Sequence, residues 1–118
     1  SNWAESMLAL GARHAVLTAK HGCGHLLWPT KTTLPGGREY TYCVGKNASA
    51  IKVDVLKEFS NTMKLHGIGH GFYYSLTNNF YLNVHGHQVQ KGPLLPGQEN
   101  VTQEQFEAIA LSQVTELW

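Results

Sequence analysis

His14-Ala15-Val16-Leu17-Thr18-Ala19 and Ile68-Gly69-His70-Gly71-Phe72-Tyr73-Tyr74-Ser75 set the fold expected of this chain. Each is a short apolar run of strand length, and such runs suit strands buried on both faces, as parallel strands are. A helix-like segment precedes each, and the links are short and echo one another: Gly11-Ala12-Arg13-His14 and Gly67-Ile68-Gly69-His70. A long connection follows each, residues 20–51 and 76–101. Long loops after strands and short links before them place a functional face at the C-terminal strand ends of an α/β fold.

Outward from the strands, three helices are expected. Residues 2–10 put Trp3, Met7 and Leu10 on one stripe, with Ala4 and Leu8 beside it. Residues 53–65 line up Val55, Phe59 and Met63 with Leu56 alongside, Asp54 sits in the first turn, and Gly67 stops the helix. Thr102 with Gln105 forms a capping box that opens a helix from about residue 103 to the end, burying Phe106, Ile109, Ala110 and Leu117. Pro35-Gly36-Gly37 is expected to close a small hairpin between Thr32-Thr33-Leu34 and Tyr40-Thr41-Tyr42. The order is α/β with parallel strands and no internal domain boundary. Two such strands cannot bury their own faces, so the chain is expected to be part of a longer one.

Composition narrows the function. The chain has 118 residues, 42% hydrophobic and 14% charged, which excludes a disordered tail. A net charge of +1 provides no basic excess for phosphates, so no nucleic-acid partner is expected. No apolar run reaches the roughly 20 residues of a membrane span. Asp54 is the one Asp, beside seven Glu. Asp54, Glu5, Glu58, Glu104, Glu107 and Glu116 read as helix-surface residues, none at a strand end.

Several motifs carry possible chemistry. Lys20-His21-Gly22-Cys23-Gly24-His25 starts where the first strand ends, and two imidazoles with a thiol invite a metal reading. The second half of a structural zinc site is missing. His66 and His70 are interrupted by two glycines, and His85-Gly86-His87 stands alone in a loop, so no metal is expected. Cys23 near His21 and His25 has the setting of an activated thiol. Cys43 lies in the same connection, however, and Asn47-Ala48-Ser49 and Asn100-Val101-Thr102 are glycosylation acceptors. Together these favour a secreted protein with a Cys23–Cys43 disulfide and glycans on Asn47 and Asn100. Phe72-Tyr73-Tyr74-Ser75 at a strand end, with Trp28, Phe80 and Tyr81 in the loops, suits a sugar whose apolar face stacks on rings.

The run Ala15-Val16-Leu17-Thr18-Ala19-Lys20-His21, then Gly24, then Leu27-Trp28-Pro29-Thr30, resembles the α-L-fucosidases of glycoside hydrolase family 29. Their pattern is a strand ending Thr-x-Lys-His-His-(Asp/Glu)-Gly-Phe, followed by Trp-Pro-Ser. Asp54-Val55-Leu56-Lys57-Glu58-Phe59 is similar to the family's helix opening, and Gly71-Phe72-Tyr73-Tyr74-Ser75-Leu76 to its Gly-(Leu/Val)-Tyr-x-Ser-Leu strand. The helix from Thr102 matches the one before the nucleophile strand.

The resemblance implies part of a (β/α)8-like (TIM) barrel, about two β/α units with the preceding helix. It also implies a retaining mechanism with an Asp nucleophile and a second carboxylate as acid. The nucleophile is expected beyond Trp118, so this chain holds no catalytic residue. His21 matches the first hydroxyl-binding His and Tyr73 the Tyr lining the fucose pocket. Trp28 and Lys20 match in position. The second His is Gly22 here, the acidic residue is Cys23 and the Phe is His25, which makes His25 the candidate replacement imidazole. The implied partners are a fucosylated glycan and the remainder of the same barrel, with no cofactor, in an extracellular or lysosomal setting. The rival reading is a non-catalytic glycan-binding or structural protein with a decayed barrel of this kind.

Overall fold

The computed structural model describes residues 2–46 and 49–118. Helix α1 (Asn2–Ala9) leads into strand β1 (His14–Lys20), and α2 (Val55–Leu65) into β2 (Gly69–Tyr74). A two-strand hairpin, β3 (Val84–His85) and β4 (Gln88–Val89), follows, and α3 (Gln103–Glu116) comes last. β1 and β2 pair in parallel, from His14 opposite Gly69 to Thr18 opposite Tyr73. The register then shifts, so that Lys20 faces Tyr74 and Ala19 is the extra residue. Ala19 and Lys20 are consequently both buried, which a strictly alternating strand does not allow.

Local chemistry accounts for the helix ends. Asp54 is the N-cap of α2 and accepts from the Lys57 amide at 3.0 Å, one position earlier than its expected place in the first turn. His66 closes the helix and Gly67, at φ +68°, turns the chain into β2. The Thr102–Gln105 capping box opens α3 as expected. At Pro35–Gly37 the chain makes one 3-10 turn, with a single Thr33–Glu39 bridge across it. The hairpin foreseen there is thus reduced to one rung, while β3–β4, turned by Gly86 and His87 at positive φ, is the one the sequence did not announce.

Two apolar clusters form. Ala4, Phe59, Met63 and Ile68 join α1 and α2 to one sheet face. The larger cluster lies under the long connections, around Leu26, Trp28, Leu34, Tyr40, Cys43, Tyr81, Leu82 and Val84, and reaches Phe106, Ile109 and Ala110 of α3. Leu117 packs against it half-buried, and Gln113 joins the buried face, accepting from the Tyr74 hydroxyl at 2.5 Å.

One expectation is corrected. On α1 it is Ala4 that is buried, while Trp3 is 66% exposed and Leu10 lies outside the core, because a small side chain lets the helix approach the sheet. The strands, expected to be too few to bury their own faces, are covered on one side only: Val16 is 70% exposed, and the face it shares with Thr18 and Tyr73 is open among the described residues.

Candidate functional site

The open face ends at the C-terminal tips of β1 and β2, where the candidates His21 and Tyr73 fall. His21 follows Lys20 directly, and its ring centroid lies 6.1 Å from that of Tyr73 on the neighbouring strand. Both side chains are exposed, and neither ring has a hydrogen-bond partner among the described residues. The strand ends are tied beneath them. Lys20, 1% exposed, donates its ammonium to the carbonyls of Ser75 at 2.5 Å and Asn78 at 2.6 Å. It also lies 5.1 Å from the centroid of the Tyr74 ring. Burial lowers its pKa to about 8, with the nearby Cys23 acting in the opposite sense.

The loop after His21 is locked to the loop after β2. The Phe80 amide donates to Gly22 O at 2.9 Å, and the Tyr81 amide to Cys23 O at 3.2 Å. The buried Tyr40 hydroxyl donates to Gly24 O at 2.6 Å, and desolvation raises its pKa. Gly24 sits at φ +88°, where an added Cβ would come within 2.2 Å of Asn79 Oδ1. That oxygen is already committed to the Leu82 amide at 3.0 Å. Lys20, matched in position by the sequence reading, is a builder of the site, while Tyr40 and Asn79 are builders that the sequence reading missed.

His25 comes to the same loop, half-buried, with its ring edge-on to Tyr42 at 4.9 Å. Burial lowers its pKa, which favours the neutral imidazole, with one donor and one acceptor nitrogen. Trp28, grouped with these residues in the sequence reading, is not on this face. It is 6% exposed inside the larger core, and its buried Nε1 finds no partner among the described residues.

The Cys23–Cys43 disulfide is also corrected. Both thiols are free: Cys23 is exposed and accepts from the His25 amide at 3.5 Å, whereas Cys43 is buried with Sγ directed to Tyr40 O at 3.6 Å. A bridge needs facing side chains with Cβ atoms about 4 Å apart, and here one thiol belongs to the surface and the other to the core. Burial raises the Cys43 pKa. Asn100 is exposed in its loop, while Asn47 lies outside the described residues.

No carboxylate joins His21 and Tyr73 among the described residues. Asp54 caps α2, Glu39 pairs with Lys46 at 3.3 Å, and Glu99 pairs with Arg38 at 2.9 Å. Glu116, read from sequence as a plain helix-surface residue, accepts from the Thr30 hydroxyl, from the Lys31 amide at 2.8 Å and from the Thr32 hydroxyl at 3.1 Å. Glu5, Glu58, Glu104 and Glu107 are exposed on helices. Among the described residues no three His, Cys, Asp or Glu side chains converge to hold a metal ion. No helix there is long and apolar enough to cross a membrane. Among the described residues the face thus presents the His21 imidazole and the Tyr73 phenol side by side at the strand tips.

A crystal structure described as a putative α-L-fucosidase from Bacteroides thetaiotaomicron superposes with a TM-score of 0.74 at 24% identity, over 98% of this chain and 25% of its own. A second, a family 29 α-L-fucosidase from the same organism, superposes with a TM-score of 0.56 at 24% identity, over 98% of this chain and 21% of its own. At that identity the likeness is one of fold, and the chain spans about a quarter of the first structure's length. No curated protein gives a significant match. The α-L-fucosidase sequence profile matches residues 1–118, the whole chain, and the chain belongs to that glycoside hydrolase family.

Proposed function

We propose that this chain forms the fucose-holding strand ends of a retaining α-L-fucosidase, within a (β/α)8 barrel that the rest of a longer protein completes. The observation that carries the reading is the pairing of His21 and Tyr73, with rings 6.1 Å apart at adjacent strand tips. An imidazole and a phenol provide hydrogen-bonding groups for ring hydroxyls, and the tyrosine face offers an apolar platform for the sugar. His25 is the second imidazole in this reading, taking the place of the family histidine that is Gly22 here.

The reacting carboxylates come from elsewhere in the barrel. An Asp on a strand after Trp118 attacks the anomeric carbon, and a second carboxylate, about 5–5.5 Å from it, protonates the leaving oxygen and later activates water. The role of this chain is to orient the sugar so that the attack is effectively intramolecular. The site works in the secretory pathway, outside the cell or in a lysosome, with Asn47 and Asn100 carrying glycans. An amidase that removes N-glycans lowers the apparent mass of the secreted protein on this reading, and an unchanged mass contradicts it.

The deciding experiment is hydrolysis of an aryl α-L-fucoside by the full-length protein, with the product followed by NMR. Release of fucose as the α anomer is the expected result. The β anomer would overturn the retaining mechanism. Saturable fucose binding with no turnover would establish the rival, a glycan-binding protein on the same scaffold.

A further inference from the structure

Strand β1 does not end as it begins. His14, Val16 and Thr18 are exposed at alternate positions, and the next step of that alternation is residue 20. A regular strand would therefore put Lys20 on the open face beside Tyr73. The register shift between Thr18 and Lys20 prevents this: Ala19 and Lys20 are both buried, and His21 becomes the next exposed side chain. Bulges re-aim side chains in this way. Ala19 O accepts from Leu27 N at 3.1 Å, which closes the loop carrying His21 back onto the bulge.

The side chain turned inward is an ammonium, a group that is unfavourable to bury. No carboxylate pairs with it among the described residues. Its Nζ instead reaches two carbonyls of the connection after β2, Ser75 O and Asn78 O, and lies 5.1 Å from the centroid of the Tyr74 ring. The Ser75 amide donates to Lys20 O at 3.0 Å, so main chain and side chain of Lys20 hold the same residue. Tyr74 is anchored in turn by its hydroxyl on Gln113 of α3. Two layers result at the strand tips. His21 and Tyr73 lie side by side above, and their chain neighbours Lys20 and Tyr74 meet below. A buried ammonium adds little to stability, because its desolvation offsets what its hydrogen bonds return. The geometry gives it a different use.

We propose that Lys20 is a positioning residue: its ammonium, reaching from the bulge to Ser75 and Asn78, fixes the spacing and tilt of His21 against Tyr73 and so sets the affinity for fucose. The inference rests on the reading of those two residues as the fucose face. Hydrogen bonds weaken steeply as distance and angle degrade, so a shift of about 1 Å at one strand tip lowers affinity without unfolding the chain. The titratable groups that bear on the ammonium are Cys23 in the following loop, which favours its charged form, and the Tyr74 phenol, whose pKa burial raises.

The test is fucose binding by calorimetry in the full-length protein, at neutral pH and well below every melting temperature, so that each variant is folded. Lys20→Met keeps most of the stem and removes the ammonium, and it should weaken binding about tenfold. Made in the His21→Ala protein, the same change should weaken binding less than about twofold further, because Lys20 acts through His21. A lysine that only stabilised the fold would leave the dissociation constant of folded protein unchanged. Unchanged binding in Lys20→Met would therefore overturn the positioning role, and so would a tenfold loss in both backgrounds. Weaker binding in His21→Ala alone would leave the fucose reading standing when the positioning role falls. If Lys20→Met does not fold, Cys23→Ser protein decides, since it carries no exposed thiol to titrate beside the ammonium. Its affinity should fall about threefold or more as pH rises through about 8 and charge leaves the two hydrogen bonds. Affinity that stays level from about pH 7.5 to about pH 9 would overturn the role. A wild type that binds no fucose would overturn both the fucose reading and this inference.

Discussion

Lys20 keeps an ammonium in surroundings that disfavour it. Two carbonyls and the Tyr74 ring compensate only part of its desolvation, and burial lowers its pKa from 10.5 to about 8. Between about pH 8 and 10.5 the unfolded chain therefore binds a proton that the folded chain has released. Folding stability contributed by this group rises with pH across that window, by about 3 kcal/mol in full. Denaturation of the full-length protein at a series of pH values should show the rise, and Lys20→Met should abolish it. Gly24 is the other position where one residue governs the site. Its left-handed backbone and the 2.2 Å approach of Asn79 Oδ1 leave no room for a methyl group. Gly24→Ala should cost about 3 kcal/mol in chemical denaturation. A loss under 1 kcal/mol would show that the two loops are less firmly joined than their hydrogen bonds imply. At this scale the sequence revealed residue types better than directions. His21 and Tyr73 come together because both stand at the ends of adjacent paired strands. Trp28 and the cysteines were misplaced because which way a loop side chain turns depends on the core formed behind it.

Among the elements, α3 shows how a helix end can be fastened by side chains distant in sequence. Glu116 in its last turn gathers the Thr30 and Thr32 hydroxyls and the Lys31 amide, and Ser112 adds a 2.8 Å contact to the Thr32 hydroxyl. This pins the residue 30–32 stretch, and with it the base of the long first connection, to the helix. Glu116→Ala should lower stability by about 2 kcal/mol, whereas the exposed Glu104→Ala should change it by less than about 0.5 kcal/mol. Thermal melts of the two full-length variants side by side check this. The strands, α2 and the α3 capping box were legible because periodicity and caps are local signals. The buried face of α1 was not, since a two-turn helix can present Trp3, Met7 and Leu10 or Ala4 to the sheet. The choice falls to whichever lets the backbones approach. The β3–β4 hairpin escaped notice because its turn uses His87 in the left-handed region, where Asn or Gly would have signalled it.

The whole chain is extended for its length. Its radius of gyration is 15.9 Å, against about 13.5 Å for a compact domain of this size, and its extents are 50 × 28 × 23 Å. Val16 on the open sheet face, Leu65, Leu111 and Trp118 all present apolar surface to solvent. The two parallel strands pair only with each other as strands, and β1 has beyond that only the Lys20–Leu26 bridge at its tip among the described residues. Residues 1–118 expressed alone should therefore give no sharp cooperative melt as a monomer. A monomer with a steep transition would contradict the barrel proposed around them. The parallel α/β arrangement was readable from two apolar runs and the link lengths, and the family from motifs at their ends. How the loops interlock was not, because Gly22 and Cys23 are bonded to Phe80 and Tyr81 through backbone groups, which carry no sequence signal. The central claim is that the strand tips of β1 and β2 hold fucose. The most direct measurement is the fucose dissociation constant of the full-length protein beside that of its His21→Ala variant, at matched melting temperature. The account predicts binding ten- to a hundredfold weaker in the variant, the loss of one or two hydrogen bonds to sugar hydroxyls. Equal dissociation constants would contradict it.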